Sequence, residues 1–528
     1  MHVRALLILF FTLLGFAVMG YHPGLEDDGV YLAAVKARID PALFSHNGNF
    51  FRLQMQATVF DSGMAGFVRA THLPLAWAEL LWQLACLYTI LWACHSMARR
   101  MFPDPRAQWA GVATVAALFT LPVAGTALYL ADQHLHPRNA AAALILLAIA
   151  RILAGRRAQA ALLVLAAALI HPLMAAFGFS FCAFLSLALL DSVHARVLSL
   201  RARTLSLQAR TLSRIVRPIG AWRGKAAALV PLAWVLQPAN PAWLKALDTR
   251  FYCHLAQWTW YEWLGALAPP ALFAVLWRVA EKNIAERNIV DRRGEKTLAR
   301  FALAVFAYGV FQLVLAVALL APARWVRLLP LQPMRYLQLV YWLFVLVAGC
   351  LLGKFLLRAS VWRWAAYLVL LNGVMLSAQL NSFRGGAHLE LPGMHPANPW
   401  LEAFAWIRAN TPKDAYFALD PDYLRAPGEN YHGFRALAER SSLADAVKDA
   451  GVATQVPELA PIWASQVAAT RGWSRFTPAD FHRLKAQFGV DWVLVSFPEP
   501  RVPQLQGPQP GSLDCAWHNR ALAVCRIP

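Results

Sequence analysis

The sequence predicts a mainly α protein, a polytopic bundle of membrane-spanning helices followed by a small α/β domain at the C-terminus. Three observations carry this expectation. Of 528 residues, 59% are hydrophobic and only 15% are charged, which is too apolar for a chain of soluble domains. The apolar residues gather in runs near the length that crosses a bilayer, about 20 residues. From residue 380 onward those runs give way to the helix and strand signals of a water-soluble fold.

About eleven runs read as spans: residues 3–20, 74–97, 108–125, 139–154, 158–171, 173–190, 226–237, 262–279, 301–320, 337–357 and 361–379. The first fits a retained anchor or a cleaved signal peptide with Arg4 as its charged start; no convincing small-x-small cleavage site precedes Tyr21, which favours the anchor. Basic residues set the direction. Arg99, Arg100 and Arg106, Arg151, Arg156 and Arg157, the 278–300 stretch, and Lys354, Arg358 and Arg363 all fall on one side, with the Arg-rich loop 191–225. The positive-inside rule makes that side cytoplasmic, and an odd number of crossings puts residues 380–528 outside. The net charge of +20 therefore belongs to membrane topology and argues against a nucleic-acid partner, because the basic residues sit between apolar segments.

The first external loop, residues 21–73, carries apolar residues at helical spacing in "DDGVYLAAVKARI" and "NFFRLQMQATVF", two expected short helices along the membrane surface. In the 191–225 loop, "ARVLSLR", "ARTLSLQ" and "ARTLSRI" repeat every seven residues. Arg196, Arg203 and Arg210 fall on one face and Leu198, Leu205 and Leu212 on another, as in an interfacial helix on anionic lipid or a short coiled coil. In the tail, "NPWLEAFAWIRANTP" reads as a helix and "AYFAL" as a strand. "TPADFHRLKAQFG" is a helix closed by Gly489, and "DWVLVSF" a second strand. Seven cysteines show no CxxC spacing. Cys515 and Cys525 flank "AWHNRALAV" in an expected hairpin, where a disulfide would need an oxidising compartment.

Chemistry concentrates at the ends of the spans. "GYHPGLEDDGVYL" places Glu26, Asp27 and Asp28 in succession just after the first span. Acidic residues suit the first turn of any helix. The alternative is that Asp27 or Asp28 acts as a general base toward an acceptor hydroxyl, or that Asp28 binds a divalent metal beside a phosphate. Arg138 in "ADQHLHPRN", with His136 before it, opens a span behind Pro137, where an anion is welcome; an ordinary snorkelling Arg is the bland reading. Arg335 in "LQPMRYLQL" has the equivalent place before a later span. His171 stands between two nearly touching spans, as a functional or a structural histidine. Glu262 lies among Trp258, Trp260, Tyr261 and Trp263, which suit sugar stacking or an interfacial aromatic belt. Arg435, Glu439 and Arg440 in the tail read as ion-paired surface or as an acceptor site.

The stretch "EDDGVYLAAVKARIDPALF" resembles the first external loop of the GT-C superfamily of lipid-dependent glycosyltransferases, which includes the protein O-mannosyltransferases and aminoarabinose transferases. "HPRN", "IHPLMA", "WTWYEWLGALAPP" and "LQPMRYLQL" are similar to a group of bacterial membrane proteins with the same layout. The resemblance implies a GT-C-like bundle and a catalytic or metal-binding carboxylate at Asp27 or Asp28. It further implies a polyprenyl-phosphate sugar donor, an envelope acceptor, a divalent Mg or Mn ion, and a bacterial inner membrane with the C-terminal domain in the periplasm. The chain departs from it in having EDD then Gly where the O-mannosyltransferases have a DE pair, and in lacking a WWDYG-type motif. A transporter or flippase of lipid-linked saccharides and a non-catalytic scaffold are the competing readings; the first of these calls for ionisable residues at mid-membrane, whereas the charges here fall at span ends.

Overall fold

The computed structural model describes residues 2–190, 239–286, 293–320, 323–396, 398–425, 432–496 and 512–528. Its N-terminal helices are α1 (His2–Met19), α2 (Asp28–Ile39), α3 (Asn49–Met55), α4 (Phe60–Thr71) and α5 (Leu75–Met101). After them come α6 (Pro105–Ala117), a hairpin of β1 (Pro122–Val123) and β2 (Leu128–Tyr129), α7 (Pro137–Leu153), α8 (Arg157–Ile170) and α9 (Pro172–Ala188). Then follow α10 (Pro241–Asp248), α11 (Trp260–Glu286), α12 (Arg293–Leu320), α13 (Tyr336–Leu352) and α14 (Val361–Ser382).

Among the described residues, six stretches are long and apolar enough to cross a membrane: α1, α5, α11, α12, residues 325–357 and α14. The chain is a multi-pass membrane protein. The eleven expected spans do not all take this form. Helices α6, α7, α8 and α9 have 13, 17, 14 and 17 residues, short of the roughly 20 that a crossing takes. Every residue of α6 from Ala110 to Ala117 is buried against neighbouring helices, and an apolar run looks the same whether it faces lipid or protein. The run 226–237, the loop 191–225 and its heptad repeat lie outside the described residues.

The helices share two ends. Arg99 and Arg100 close α5, Arg151 closes α7, and Lys354 follows α13, all at the far end. The start of α7, the junction of α8 with α9, the start of α13 and the C-terminal domain meet at the other end, the site end.

The segment after α1 departs from the surface-helix expectation. It holds three helices, and α2 buries seven residues, Asp28 and Val30 to Val35 with one gap at Gly29, rather than a single stripe. Its cover is protein. Val30, Tyr31, Ala33 and Ala34 share one core with Phe50 and Phe51 of α3, Trp243 of α10, and Trp463 of the C-terminal domain. Lys36 ties α2 to Glu439 at 2.8 Å. Gly29 and Gly433 cross so closely that a Cβ on Gly433 would lie 2.5 Å from the Gly29 Cα, so no larger residue fits there.

The C-terminal domain contains α15 (Pro399–Asn410), β3 (Tyr416–Leu419), α16 (Phe434–Ala438), β4 (Ser441–Ser442), α17 (Lys448–Gln455), α18 (Ala460–Ala469), α19 (Pro478–Phe488), β5 (Trp492–Ser496), β6 (Asp514–His518) and β7 (Leu522–Arg526). The strands form one sheet in the order β4-β3-β5-β7-β6, parallel between β3 and its two neighbours and antiparallel beyond β5. Strand alternation sorts the side chains into two cores. Phe417, Leu419 and Leu494 pack under Trp400, Phe404 and Ile407 of α15, while Tyr416, Ala418, Val493 and Val495 pack under Phe481 and Leu484 of α19. A sheet covered on both faces explains why "AYFAL" and "DWVLVSF" are nearly continuous apolar runs. Thr477 and Asp480 cap α19 reciprocally and Gly489, at φ 75°, ends it. Cys515 and Cys525 are cross-strand partners joined by a disulfide.

Candidate functional site

Asp27 sits at the start of α2, with its side chain free of any capping bond. It faces cations. Oδ1 is 3.1 Å from Lys448 Nζ, and Oδ2 is 4.0 Å from Arg138 Nη2 and 3.8 Å from His136 Nε2. Burial works against the charge on Asp27, but Lys448, then Arg138, outweigh it and hold this carboxyl well below the usual range. Lys448 opens α17 and also binds Glu26 at 2.8 Å. Burial again opposes its charge, and the two carboxylates hold its pKa above that of an ordinary lysine.

His136 and Arg138 owe their places to the start of α7. His136 is the N-cap, and its Nδ1 accepts the Arg138 amide at 2.9 Å. That bond leaves Nε2 to carry the ring proton toward Asp27. Burial first, and Arg138 second, keep this imidazole well below the normal histidine value, so it is neutral. Arg138 is buried and forks onto Asp132, Nη2 to Oδ1 at 2.6 Å and Nε to Oδ2 at 3.1 Å. It therefore does not snorkel. Asn139 and Gln83 both donate to the Asp132 carbonyl, which fixes the turn that precedes the helix.

Two cavities meet at these residues. The smaller, about 390 Å³, is lined by Asp27, His136, Arg138, His171, Arg250, Tyr252, Arg335 and Lys448, among others. Of its four cationic side chains, Arg138 is paired with Asp132 and Lys448 with Glu26 and Asp27, while Arg250 and Arg335 have no carboxylate partner among the described residues. Arg335 lies over the Tyr252 ring at 5.1 Å, and its buried Nε has no hydrogen-bond partner among the described residues. His171 caps α9, its Nδ1 accepting the Met174 amide at 3.4 Å, with its ring 6.3 Å from that of His136. The larger cavity, about 1010 Å³, shares Asp27 and Arg138 and adds Tyr129, Tyr261, Glu262 and Arg384. An apolar groove of about 590 Å³ runs between α7, α8 and α9 from Arg157 to Pro172, and Pro172 also lines the cationic cavity.

The structure thus brings Asp27, His136, Arg138, His171 and Arg335 onto one hollow and leaves Asp28 out of it. Asp28 turns inward, 2% exposed, and accepts the Gly24 amide at 2.7 Å. Burial raises its pKa, which favours the protonated form. Asp28 lines neither cavity, and Asp27, which lines both, already faces Lys448 and Arg138. Glu262 caps its own helix, accepting the Thr259 amide at 2.7 Å, at the rim of the larger cavity. In the tail, Arg435 forms a buried ion pair with Asp449 at 2.7 Å, Arg440 binds the carbonyls of Arg408 and Thr411, and Glu439 receives Lys36; all three are structural. Lys448 and Arg250 carry no local signal in the sequence. Lys448 stands 422 residues from Glu26, and only folding brings them together.

No protein-family model matches the sequence, and no curated protein does. Among solved structures, the chain is similar to an oligosaccharyltransferase from Archaeoglobus fulgidus in its apo form, with 11% identity over 93% of this chain and 69% of that one and a TM-score of 0.42. A likeness of that degree carries no argument about family or activity.

Proposed function

We propose that the protein is a membrane glycosyltransferase that moves a sugar from a polyprenyl-phosphate donor to a hydroxyl of an envelope acceptor, on the outer face of a bacterial inner membrane. The observation that carries this reading is the pair of cations on the smaller cavity, Arg250 and Arg335, that have no carboxylate partner among the described residues. Arg138 and Lys448 beside them are already paired with Asp132, Glu26 and Asp27, so those two guanidinium groups call for an anionic ligand. The neighbouring groove supplies the lipid side. An isoprenoid tail lies between α8 and α9 while its phosphate reaches past Pro172 to Arg335, Arg250 and Lys448.

Asp27 stands where the two cavities join, so an acceptor entering the larger one meets the donor beside it. The acceptor oxygen bonds to the anomeric carbon, the bond from that carbon to the phosphate oxygen breaks, and the hydroxyl proton passes to Asp27. A carboxylate of depressed basicity takes the proton late, when the acceptor oxygen has already become acidic. Most of the barrier lowering then falls to the cations that receive the charge leaving with the phosphate. Lys448, which donates to Asp27 Oδ1 at 3.1 Å, orients that carboxylate.

The test is turnover of labelled polyprenyl-phosphate sugars by the reconstituted protein and its Asp27→Asn variant. A loss of about 100-fold or more is expected, in keeping with removal of a positioned base. Equal turnover by both proteins ends the proposal.

A further inference from the structure

Behind the wall of the larger cavity, and lining neither cavity themselves, three residues remote in sequence bring two imidazoles and a carboxylate into one cluster. His22 follows α1, Glu390 lies between α14 and α15, and His432 precedes α16. His22 Nδ1 is 3.1 Å from Glu390 Oε1, and His432 Nε2 is 2.8 Å from Glu390 Oε2. One ligand atom of each lies within 4.8 Å of the others, and among the described residues no other group of three His, Cys, Asp or Glu side chains converges so closely. The side chains of His22 and His432 are 1% and 5% exposed and that of Glu390 is 13% exposed, so the cluster is largely shielded from solvent.

The nitrogens that face Glu390, His22 Nδ1 and His432 Nε2, each present a lone pair toward a common point when the other ring nitrogen carries the proton, and the carboxylate supplies the third donor. The backbone is tightly held. The His22 amide bonds to the Gln133 carbonyl and the Glu390 amide to the Tyr21 carbonyl, both at 2.9 Å, and His432 bridges to Leu25. Phe383 stacks on the His22 ring at 4.2 Å and fixes its plane. Beside it, Gly20 at φ 82° would bring any Cβ within 3.1 Å of His22 Nε2, so the ring demands a glycine there. Two imidazoles and one carboxylate, rigidly placed and shielded, form a ligand set suited to a borderline divalent ion, zinc above all.

We propose that His22, Glu390 and His432 bind one divalent transition-metal ion of the zinc class, which staples the segment after α14 and the C-terminal domain to the segment that carries Asp27. The ion has a structural role, and the site is separate from the cationic cavity.

The full-length protein in detergent, stripped with a chelator and dialysed against zinc, is expected to hold about one zinc per chain and to melt at a higher temperature than the stripped form. X-ray absorption at the zinc edge should show scattering from two imidazole rings. Glu390→Gln and His432→Asn, which keep hydrogen-bonding side chains, should lose the bound zinc and the thermal response while eluting as the wild type does. The wild-type measurements require no variant to fold. A wild-type protein without tightly bound zinc or a zinc-dependent melting shift overturns the proposal, and so does an edge spectrum without imidazole scattering. Zinc retained at wild-type level by both variants overturns it equally.

Discussion

Asp27 and Asp28 are neighbours in sequence with opposite fates. Asp28 points into protein, where burial favours its neutral form, whereas Asp27 points at Lys448, Arg138 and His136 and stays ionised. The pH dependence follows from that difference. A carboxyl whose folded pKa is depressed contributes stability above its unfolded pKa, about 3.9, and loses it as pH falls through the lower folded value. Turnover should accordingly show no acid limb from Asp27 above about pH 4, which a pH profile of kcat/KM will reveal; an Asp27 limb at neutral pH contradicts the assignment. Arg138→Gln strands Asp132 as a buried unpaired charge, so a loss of about 3–5 kcal/mol is expected, read from denaturant or thermal unfolding. Arg335→Gln leaves no carboxylate stranded, because Arg335 contacts an aromatic ring. Its expected effect is weaker binding of the donor with little change in melting temperature. The candidate cations at residues 138 and 335 were legible because each sits at the start of an apolar helix, where Pro shortly before Arg marks a helix terminus.

At the scale of elements, helix α17 matters most for the site, and nothing local marks it. Asp445 accepts the amides of Val447 and Lys448, and Arg250 donates to the Val447 carbonyl, so the start of α17 is pinned at the cavity rim. Lys448→Ala removes one of four cations and the partner of Glu26 and Asp27, and it is expected to raise KM for the donor more than it lowers kcat. The α2 helix was legible as a helix, since its apolar residues and acidic start are local signals. Its burial was not, because part of its cover comes from residues 400 positions later. The Gly29–Gly433 crossing tests that docking. Gly433→Ala should destabilise the protein by about 1–3 kcal/mol, as overpacked contacts do, and quicken proteolysis of the segment between α1 and α5.

At the scale of the molecule, a membrane bundle and a three-layer α/β domain grip the segment between α1 and α5, and the cationic cavity lies where all three meet. The disulfide of β6 and β7 closes a loop with a separation of 10 residues at the sheet edge, away from this junction. Removing it with the Cys515→Ala, Cys525→Ala pair is expected to lower stability by about 2–3 kcal/mol while leaving turnover near the wild-type level at temperatures where the domain stays folded.

Composition and periodicity by themselves determined that the chain lives in a membrane, where its long helices fall, and that a strand-and-helix domain ends it, because hydrophobic run length and alternation are local consequences of what each segment must bury. The number of lipid-crossing helices escaped that logic, since the short α6 is apolar for the sake of its protein neighbours. Which acidic residue faces the cavity, which lysine answers it, and that His22, Glu390 and His432 meet were decided by tertiary structure alone. Such encounters depend on backbone paths that join segments hundreds of residues apart, and no short stretch of sequence records them.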